Sequence, residues 1–187
     1  MTGATNHVER LAPSPWIERF SPLIAAGSRI LDVACGRGRH ARFFAARGCR
    51  VVAVDRDATA IAMLDGVAGV TPVAADLETG AWPFGDERFD AIVVTNYLHR
   101  ALFAPLLSAV RGDGVLLYET FAAGNEAHGK PSNPDFLLAQ GELLTVVDDR
   151  LTVVAFEQGA VVGNPPAVLQ RLAAVGRGRR WPPLLPL

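Results

Sequence analysis

The stretch RILDVACGRGRHA, residues 29–41, decides the fold of this protein. Its apolar run ending in Asp32 predicts a buried strand, and a loop with glycines two residues apart follows. Gly36, Gly38 and Ala41 fit the pattern G-x-G-x-x-G/A, in which a strand, a tight turn and a helix bind a dinucleotide. A carboxylate at Asp32 would lie close to the pyrophosphate of such a ligand and repel it. The loop therefore predicts a nucleotide-containing ligand and leaves its class open.

The composition is typical of one globular domain. The 187 residues are 50% hydrophobic and 20% charged, which is enough apolar sequence for a sizeable core. The net charge of −1 provides no overall field that would attract nucleic acid or an anionic membrane. Cys35 and Cys49 lack the spacing of a zinc site or a disulfide framework, so we expect no metal. With neither an apolar signal segment nor a membrane-spanning run, we expect a cytoplasmic protein.

Strands and helices alternate along the chain. The predicted strands cover residues 28–34, 49–55, 70–76, 88–96, 113–121 and 151–159, with a last weak segment at 166–175. The predicted helices cover residues 15–26, 39–48, 57–67 and 99–110, and another begins at about Pro134. Because the strands are nearly continuous in apolar residues, this pattern predicts a single α/β domain with a doubly wound, mostly parallel sheet of six or seven strands and helices on both faces.

Polar residues end several of these strands, where doubly wound sheets bind their ligands. Asp55 ends the second strand, at a distance from the glycine loop that suits a carboxylate accepting hydrogen bonds from ribose hydroxyls. Asp76 and Asn96 end the third and fourth strands. Asp32, which opposes a pyrophosphate, would attract a ligand that carries an ammonium group and a sulfonium.

Four segments in order resemble the class I S-adenosylmethionine-dependent methyltransferases. The segment ILDVACGRGRHARFFAARG resembles the family's first motif, VVAVDRD its second-strand acid, AADLE its adenine-side acid and FDAIVVTNYLH its fourth strand. The resemblance covers residues 14–175, and the compact length and the wording LDVACGRGRHA are most similar to the small tellurite-resistance-type group. It implies a Rossmann-like fold, S-adenosylmethionine as cofactor and methyl transfer to a small-molecule acceptor by in-line displacement.

The resemblance also implies which residues bind the cofactor. Asp32, Ala34, Gly36 and Gly38 would surround the methionine part, Asp55 and the adjacent Arg56 the ribose, Asp76 and Leu77 the adenine, and Asn96 the sulfonium. Many family members have glycine at position 34. The methyl group of Ala34 fits there if this residue keeps a negative φ.

A catalytic side chain is required only if the acceptor must lose a proton. The candidates are His99 after the fourth strand, Glu119 near the end of the fifth strand, and His128 in the polar loop over residues 122–133. Tyr118 competes with Glu119, because successive residues of a strand point to opposite faces. The length of the loop predicts a lid or a binding loop, so we expect the acceptor to enter between this loop and residues 96–100.

The expected domain spans residues 1–175, with residues 1–26 forming a helical segment that closes over the cofactor and residues 176–187 a basic, proline-rich tail. We expect a monomer or homodimer that binds neither nucleic acid nor a membrane. RNA methylation is less favoured, because residues 96–99 read NYLH and not an Asn-Pro-Pro-Tyr-like motif. Two other interpretations stay open: an NAD-dependent oxidoreductase, which the glycine pattern supports, and a protein that binds S-adenosylmethionine without turnover.

Overall fold

Seven strands form one sheet in the computed structural model, which describes residues 12–163 and 165–183. The strands are β1 Arg29–Val33, β2 Arg50–Asp55, β3 Val70–Ala74, β4 Phe89–Thr95, β5 Val110–Phe121, β6 Leu151–Val161 and β7 Ala167–Gly176. Their order is β3-β2-β1-β4-β5-β7-β6. Strands β1 to β5 are parallel, and β7 runs antiparallel to both β5 and β6. The predicted doubly wound, mostly parallel sheet is confirmed.

Five α-helices of the described residues cover the two faces of this sheet. They are α1 Pro15–Phe20, α2 Arg39–Ala46, α3 Ala58–Ala62, α4 Phe103–Ala109 and α5 Glu142–Val147. Alternate residues of each strand enter different cores: Ile30 packs with α1 and α2, whereas Leu31 packs with α4 and α5. Burial on both faces explains why these strands are nearly continuous in apolar residues. Within the described residues, no helix is long and apolar enough to span a membrane.

Several of the predicted helices differ in the structure. The helix expected over residues 57–67 ends at Ala62, and the one expected over residues 99–110 begins as a 3-10 turn, Arg100–Leu102, before α4. The helix expected over residues 15–26 ends at Phe20 and continues as one 3-10 turn to Leu23. The helix expected from about Pro134 is wrong: residues 134–136 form a single 3-10 turn, and α5 begins only at Glu142. The reason is tertiary, because Leu138 lies in an extended segment whose N–H donates to the carbonyl of Phe121 at the end of β5, at 3.0 Å.

The weak segment predicted at residues 166–175 forms β7, which is inserted between β5 and β6 and paired on both sides. The residues just beyond it begin the predicted tail. There Arg179 donates hydrogen bonds to the carbonyls of Leu23 and Asp113, which ties the chain after β7 to the amino end of the sheet. Residues 1–11, 164 and 184–187, which include parts of the predicted N-terminal segment and tail, lie outside the described residues.

Candidate active site

The carboxyl ends of β1, β2 and β4 and the segment after β3 enclose a first cleft of about 240 Å³. Its lining residues are Ala34, Asp55, Arg56, Ala75, Asp76, Leu77, Glu78, Asn96 and Tyr97. The cleft lies where the strand order reverses between β1 and β4, which is the usual ligand site of a doubly wound sheet. Six of the nine predicted cofactor residues therefore meet here; Asp32, Gly36 and Gly38 are not among the lining residues.

Two lining residues have a left-handed backbone conformation. Ala34 follows β1 with a φ of +50°, and Asn96 follows β4 with a φ of +54°. The condition of a negative φ at Ala34 is not met, because the chain turns sharply out of the strand and the next residue, Cys35, donates its N–H to the Val54 carbonyl at 3.0 Å. This conformation costs an alanine roughly 1–2 kcal/mol. Both strained residues face the same cleft, as is typical of functional sites.

The two loop glycines have different tasks. A Cβ atom placed on Gly36, whose φ is +54°, would meet no other atom within 4 Å, so this position opens onto free space. A Cβ atom on Gly38, whose φ is +74°, would overlap the side chain of Leu64. Gly36 thus leaves room for a ligand close to the backbone, whereas Gly38 allows the start of α2 to pack against Leu64.

Asp55 is held by the backbone of two loops. Its Oδ2 accepts a hydrogen bond from the Gly36 N–H at 2.8 Å, and its Oδ1 accepts one from the Asp57 N–H at 2.9 Å. These bonds fix the carboxylate between the glycine loop and the start of α3. Since each carboxylate oxygen can accept a second hydrogen bond, the group still has acceptor capacity for hydroxyls of a ligand.

Asp76 is exposed and also held by its own loop. Its Oδ1 accepts from the Glu78 N–H at 2.8 Å, and its Oδ2 accepts from the Thr79 hydroxyl at 2.9 Å. The Glu78 N–H and then the Thr79 hydroxyl lower the pKa of this carboxyl group. Asp76 is therefore an ionised hydrogen-bond acceptor at the edge of the cleft.

Asp32 lies beneath the glycine loop and is only 1% exposed. Neither carboxylate oxygen has a hydrogen-bond partner among the described residues. Burial raises its pKa from 3.8 to about 7, against the opposing effects of the Ala41 N–H and the Arg39 guanidinium. A buried carboxyl group without a donor is costly, and a cationic ligand in the space beside Gly36 would relieve that cost. The residues present thus fit a ligand with an ammonium group.

A buried polar cluster that the sequence did not reveal lies under the ends of β4 and β5. The Ser14 N–H donates to His40 Nε2 at 3.1 Å, and the Ser14 hydroxyl donates to Glu119 Oε1 at 2.6 Å. Because His40 Nε2 accepts a hydrogen bond, the ring is neutral, and burial lowers its pKa to about 3. His40 Nδ1 lies 3.4 Å from the Thr95 hydroxyl. The only available signal was the position of His40 directly after the glycine loop.

Glu119 belongs to this cluster. It lines neither the first cleft nor a second cleft that adjoins the first. Its second oxygen accepts a hydrogen bond from Arg171 Nε at 2.6 Å, so both carboxylate oxygens are used. Tyr118 points to the opposite face, where its hydroxyl donates to the Tyr97 carbonyl at 2.9 Å. The catalytic role of Glu119 stays a prediction, and its contacts anchor the segment before α1 to β5 and β7.

A second cleft of about 290 Å³ adjoins the first, at the place expected for the acceptor. Its lining residues are Glu78, Asn96, Tyr97, Leu98, Thr120, Phe121, Pro131 and Phe136, of which Glu78, Asn96 and Tyr97 also line the first cleft. His99 is half-buried at the start of a 3-10 turn, and His128 is exposed. Neither histidine lines either cleft, so their catalytic roles stay predictions. Within the described ranges, no group of three or more possible ligand residues could hold a metal ion.

Hydrogen bonds from Arg100 hold in place the loop that forms one wall of the second cleft. Its Nε and Nη2 bind the two carboxylate oxygens of Glu142 at 2.7 and 2.9 Å. Its Nη1 and Nη2 also donate to the carbonyls of Asp135 and Leu137, each at 2.9 Å. These bonds hold the segment that carries Phe136 against the end of β4.

The sequence and the fold are both similar to those of known methyltransferases. Residues 30–112 match the family model described as methyltransferase domain, and no curated protein matches the chain. TehB from Haemophilus influenzae has a similar structure, with a TM-score of 0.71, 18% identity and coverage of 84% of this chain; the chain spans 60% of the length of TehB. A SAM-dependent methyltransferase from Methanosarcina mazei has a TM-score of 0.67 and 15% identity over 88% of this chain and 98% of that protein.

A further similar structure is the 1,6-didemethyltoxoflavin-N1-methyltransferase of Burkholderia thailandensis, solved with 1,6-didemethyltoxoflavin and S-adenosylhomocysteine. Its TM-score is 0.64 and its identity 19%, over 92% of this chain and 81% of that protein. At such low identities these likenesses concern the fold, whereas the family match concerns the sequence of the glycine loop and the first four strands. Residues 30–112 are therefore similar in sequence to a methyltransferase domain, and the described fold is similar to that of known S-adenosylmethionine-dependent methyltransferases.

Proposed function

We propose that this enzyme transfers the methyl group of S-adenosylmethionine to a small-molecule acceptor by in-line displacement. The observation that carries the proposal is the pair of adjoining clefts that share Glu78, Asn96 and Tyr97. When bound, S-adenosylmethionine supplies an electrophilic methyl group on its sulfonium. With the cofactor in the first cleft, Asn96 and Tyr97 stand at the boundary across which that methyl group would face an acceptor in the second cleft.

Asp32 is assigned to the ammonium group of the methionine part. Its two oxygens have no hydrogen-bond donor in the part of the chain that the structure describes, and the open space at Gly36 gives a ligand access to the loop above it. An ammonium group close to Asp32 favours the ionised carboxylate and so offsets the effect of burial on its pKa. A pyrophosphate in the same place would add negative charge beside a buried acid, which disfavours the dinucleotide interpretation.

Asp55 and Asp76 are assigned to the rest of the cofactor. The carboxylate of Asp55 is fixed by the Gly36 and Asp57 N–H groups and retains acceptor capacity for the ribose hydroxyls. Asp76, whose pKa is lowered by the Glu78 N–H, can accept a hydrogen bond from the adenine amino group. Leu77 and Arg56 line the cleft beside them. The chain's contribution to the displacement is mainly the positioning of two reactants in neighbouring clefts, with partial exclusion of water.

The proposal of a small acceptor is supported by the size of the second cleft, about 290 Å³. Small-molecule pockets commonly have volumes of about 300–1,000 Å³, so this cleft lies near the lower limit. The similar Burkholderia enzyme was solved with 1,6-didemethyltoxoflavin bound. NodS of Bradyrhizobium japonicum, another similar structure at 18% identity, is described as an N-methyltransferase.

Calorimetric titration with S-adenosylmethionine tests the cofactor assignment. We expect the native protein to bind, Asp55→Ala to lose most of its affinity, and Asp65→Ala, which removes an exposed carboxylate outside both clefts, to bind as the native protein does. Absence of binding by the native protein, or native affinity in Asp55→Ala, would contradict the assignment. Binding of NAD in the same cleft would revive the oxidoreductase interpretation.

Incubation with S-adenosylmethionine and a metabolite extract tests the turnover. We expect formation of S-adenosylhomocysteine that depends on both the protein and the extract. If the cofactor binds but no extract supports product formation, the chain is a binding protein without turnover.

A further inference from the structure

The second cleft combines aromatic rings with one carboxylate. Tyr97, Phe121 and Phe136 line it from three segments: the end of β4, the end of β5 and the loop that Arg100 fastens. Glu78 contributes the one carboxylate, and Leu98 and Pro131 add apolar surface. No lysine, arginine or histidine of the described ranges lines this cleft.

The cleft is also electronegative. The pKa of Tyr97 rises to about 12 because the ring is partly buried and because the carboxylates of Glu78 and Asp76 are close to it. Tyr97 is therefore a neutral phenol at physiological pH and adds no negative charge of its own. The Arg56 guanidinium lies 3.4 Å from Glu78 but is largely exposed and belongs to the lining of the first cleft.

Aromatic faces beside a carboxylate are a chemical environment that favours cations. The negative face of an aromatic ring attracts an ammonium group, and a carboxylate accepts its charge-assisted hydrogen bonds. An oxyanion in the same cleft would meet the Glu78 carboxylate, whereas Arg56, the cation beside Glu78, lines only the first cleft, so carboxylates, phosphates and inorganic oxyanions are disfavoured. A neutral acceptor would gain only the apolar contacts.

We propose that the methyl acceptor is a small amine with an apolar body, which enters the second cleft as an ammonium ion. This inference rests on the proposed function, since it names the class of acceptor that would stand beside the sulfonium. Glu78 accepts the hydrogen bond of the ammonium group, and the rings of Phe121 and Phe136 cover the apolar body.

The proposed reaction is an N-methylation in which atoms and charge balance. The ammonium ion first loses one proton to water at the open mouth of the cleft, which exposes the nitrogen lone pair. That lone pair forms the new N–C bond while the C–S bond breaks, and the electron pair of the C–S bond stays on sulfur. The products are the methylated ammonium ion, neutral S-adenosylhomocysteine and one released proton.

Three probes with the same benzyl body but different charge test the inference: benzylamine, benzyl alcohol and benzoate. Their affinities are measured by calorimetry with the protein saturated with S-adenosylhomocysteine. We expect benzylamine to bind about tenfold more tightly than benzyl alcohol, and benzoate to bind most weakly. Glu78→Gln should remove most of the preference for benzylamine over benzyl alcohol. Phe136→Ala should weaken both ligands, because it removes one wall.

Met63→Ala is the matched control for Phe136→Ala, since both side chains are 49% exposed and Met63 lies outside the clefts. It should bind all three probes as the native protein does. Benzoate or benzyl alcohol binding as tightly as benzylamine would overturn the inference, as would an unchanged preference in Glu78→Gln or no binding of any probe. The titration with S-adenosylmethionine separates the two proposals, because a protein that binds this cofactor but does not prefer the amine contradicts only the class of acceptor.

Discussion

Asp32 shows how a single residue can couple stability to ligand binding. Its carboxyl group is buried without a hydrogen-bond partner, and its pKa of about 7 exceeds the ordinary value of 3.8. Between these two pH values the folded protein keeps a proton that the unfolded chain has lost. The free energy of unfolding therefore falls as the pH rises from about 4 to about 7, and the loss persists above that range.

We expect Asp32→Asn to stabilise the ligand-free protein at pH 8 by up to about 4 kcal/mol, because the amide is never ionised. Near pH 4, where Asp32 is largely protonated in the folded protein, the variant and the native protein should be similarly stable. Urea unfolding at both pH values measures the difference. Asp65→Asn is the control, since Asp65 is exposed and its replacement should change stability little at either pH. Equal stability of Asp32→Asn and the native protein at pH 8 would contradict the argument.

The same residue predicts a pH dependence of cofactor affinity. If the ammonium group binds the ionised form of Asp32, complex formation below pH 7 must release the proton that the free protein holds. We expect the affinity for S-adenosylmethionine to rise roughly eightfold from pH 6 to pH 7.5, which follows from a pKa of about 7 in the free protein. Calorimetry in buffers of different ionisation enthalpy counts the released proton. Asp32→Asn should bind S-adenosylmethionine weakly and with an affinity that does not change with pH. If the variant still released a proton on binding, that proton would come from a group other than Asp32.

At the scale of elements, the two loops that flank the sheet edge are fixed by side chains from distant parts of the chain. Ser14, just before α1, is joined to β5 through Glu119 and to the start of α2 through His40. Arg100, after β4, is joined to α5 through Glu142. These contacts hold one segment of chain on each side of the sheet edge formed by the carboxyl ends of the strands. A testable prediction follows from each contact.

Ser14→Ala should destabilise the protein by about 2 kcal/mol, because the hydroxyl both accepts the Trp16 N–H at the start of α1 and donates to Glu119. Urea unfolding measures the change. Ser108→Ala, at an exposed position, should leave the free energy of unfolding within about 0.5 kcal/mol of the native value. A change at Ser14 no larger than that at Ser108 would show that the cluster contributes nothing to folding.

Arg100→Lys should loosen the wall of the second cleft, because an ammonium group cannot make the paired bonds to Glu142 and reach two carbonyls as well. We expect amide hydrogen exchange over residues 131–138 to become about tenfold faster or more, with unchanged exchange in β4. Arg88→Lys, which replaces an arginine outside both clefts, is the control. Unaltered exchange in the loop of the Arg100 variant would mean that other contacts hold Phe136 in place.

At the scale of the whole molecule, the parallel half of the sheet was predictable and the antiparallel half only in part. Strands β1, β2 and β4 and the second half of β5 are buried on both faces, so their apolar runs can be recognised without knowledge of their partners. The segment that forms β7 looked weak, yet it is paired along its length with both β5 and β6. The local pattern after Pro134 predicts a helix. The extended conformation observed at Leu138 depends instead on a hydrogen bond to Phe121, at the end of a distant strand.

The sequence by itself determined the strand and helix alternation, the glycine loop and the acids at the ends of the strands, because each depends on residues close together in the chain. The tertiary structure alone decided that Ala34 is left-handed, that Asp32 has no donor, and that Glu119 binds Ser14. Burial and the identity of a hydrogen-bond partner depend on which distant segments meet. No local sequence pattern carries that information. In this protein it distinguishes Asp55 and Asp76, which line the first cleft, from Glu119, which anchors the segment before α1.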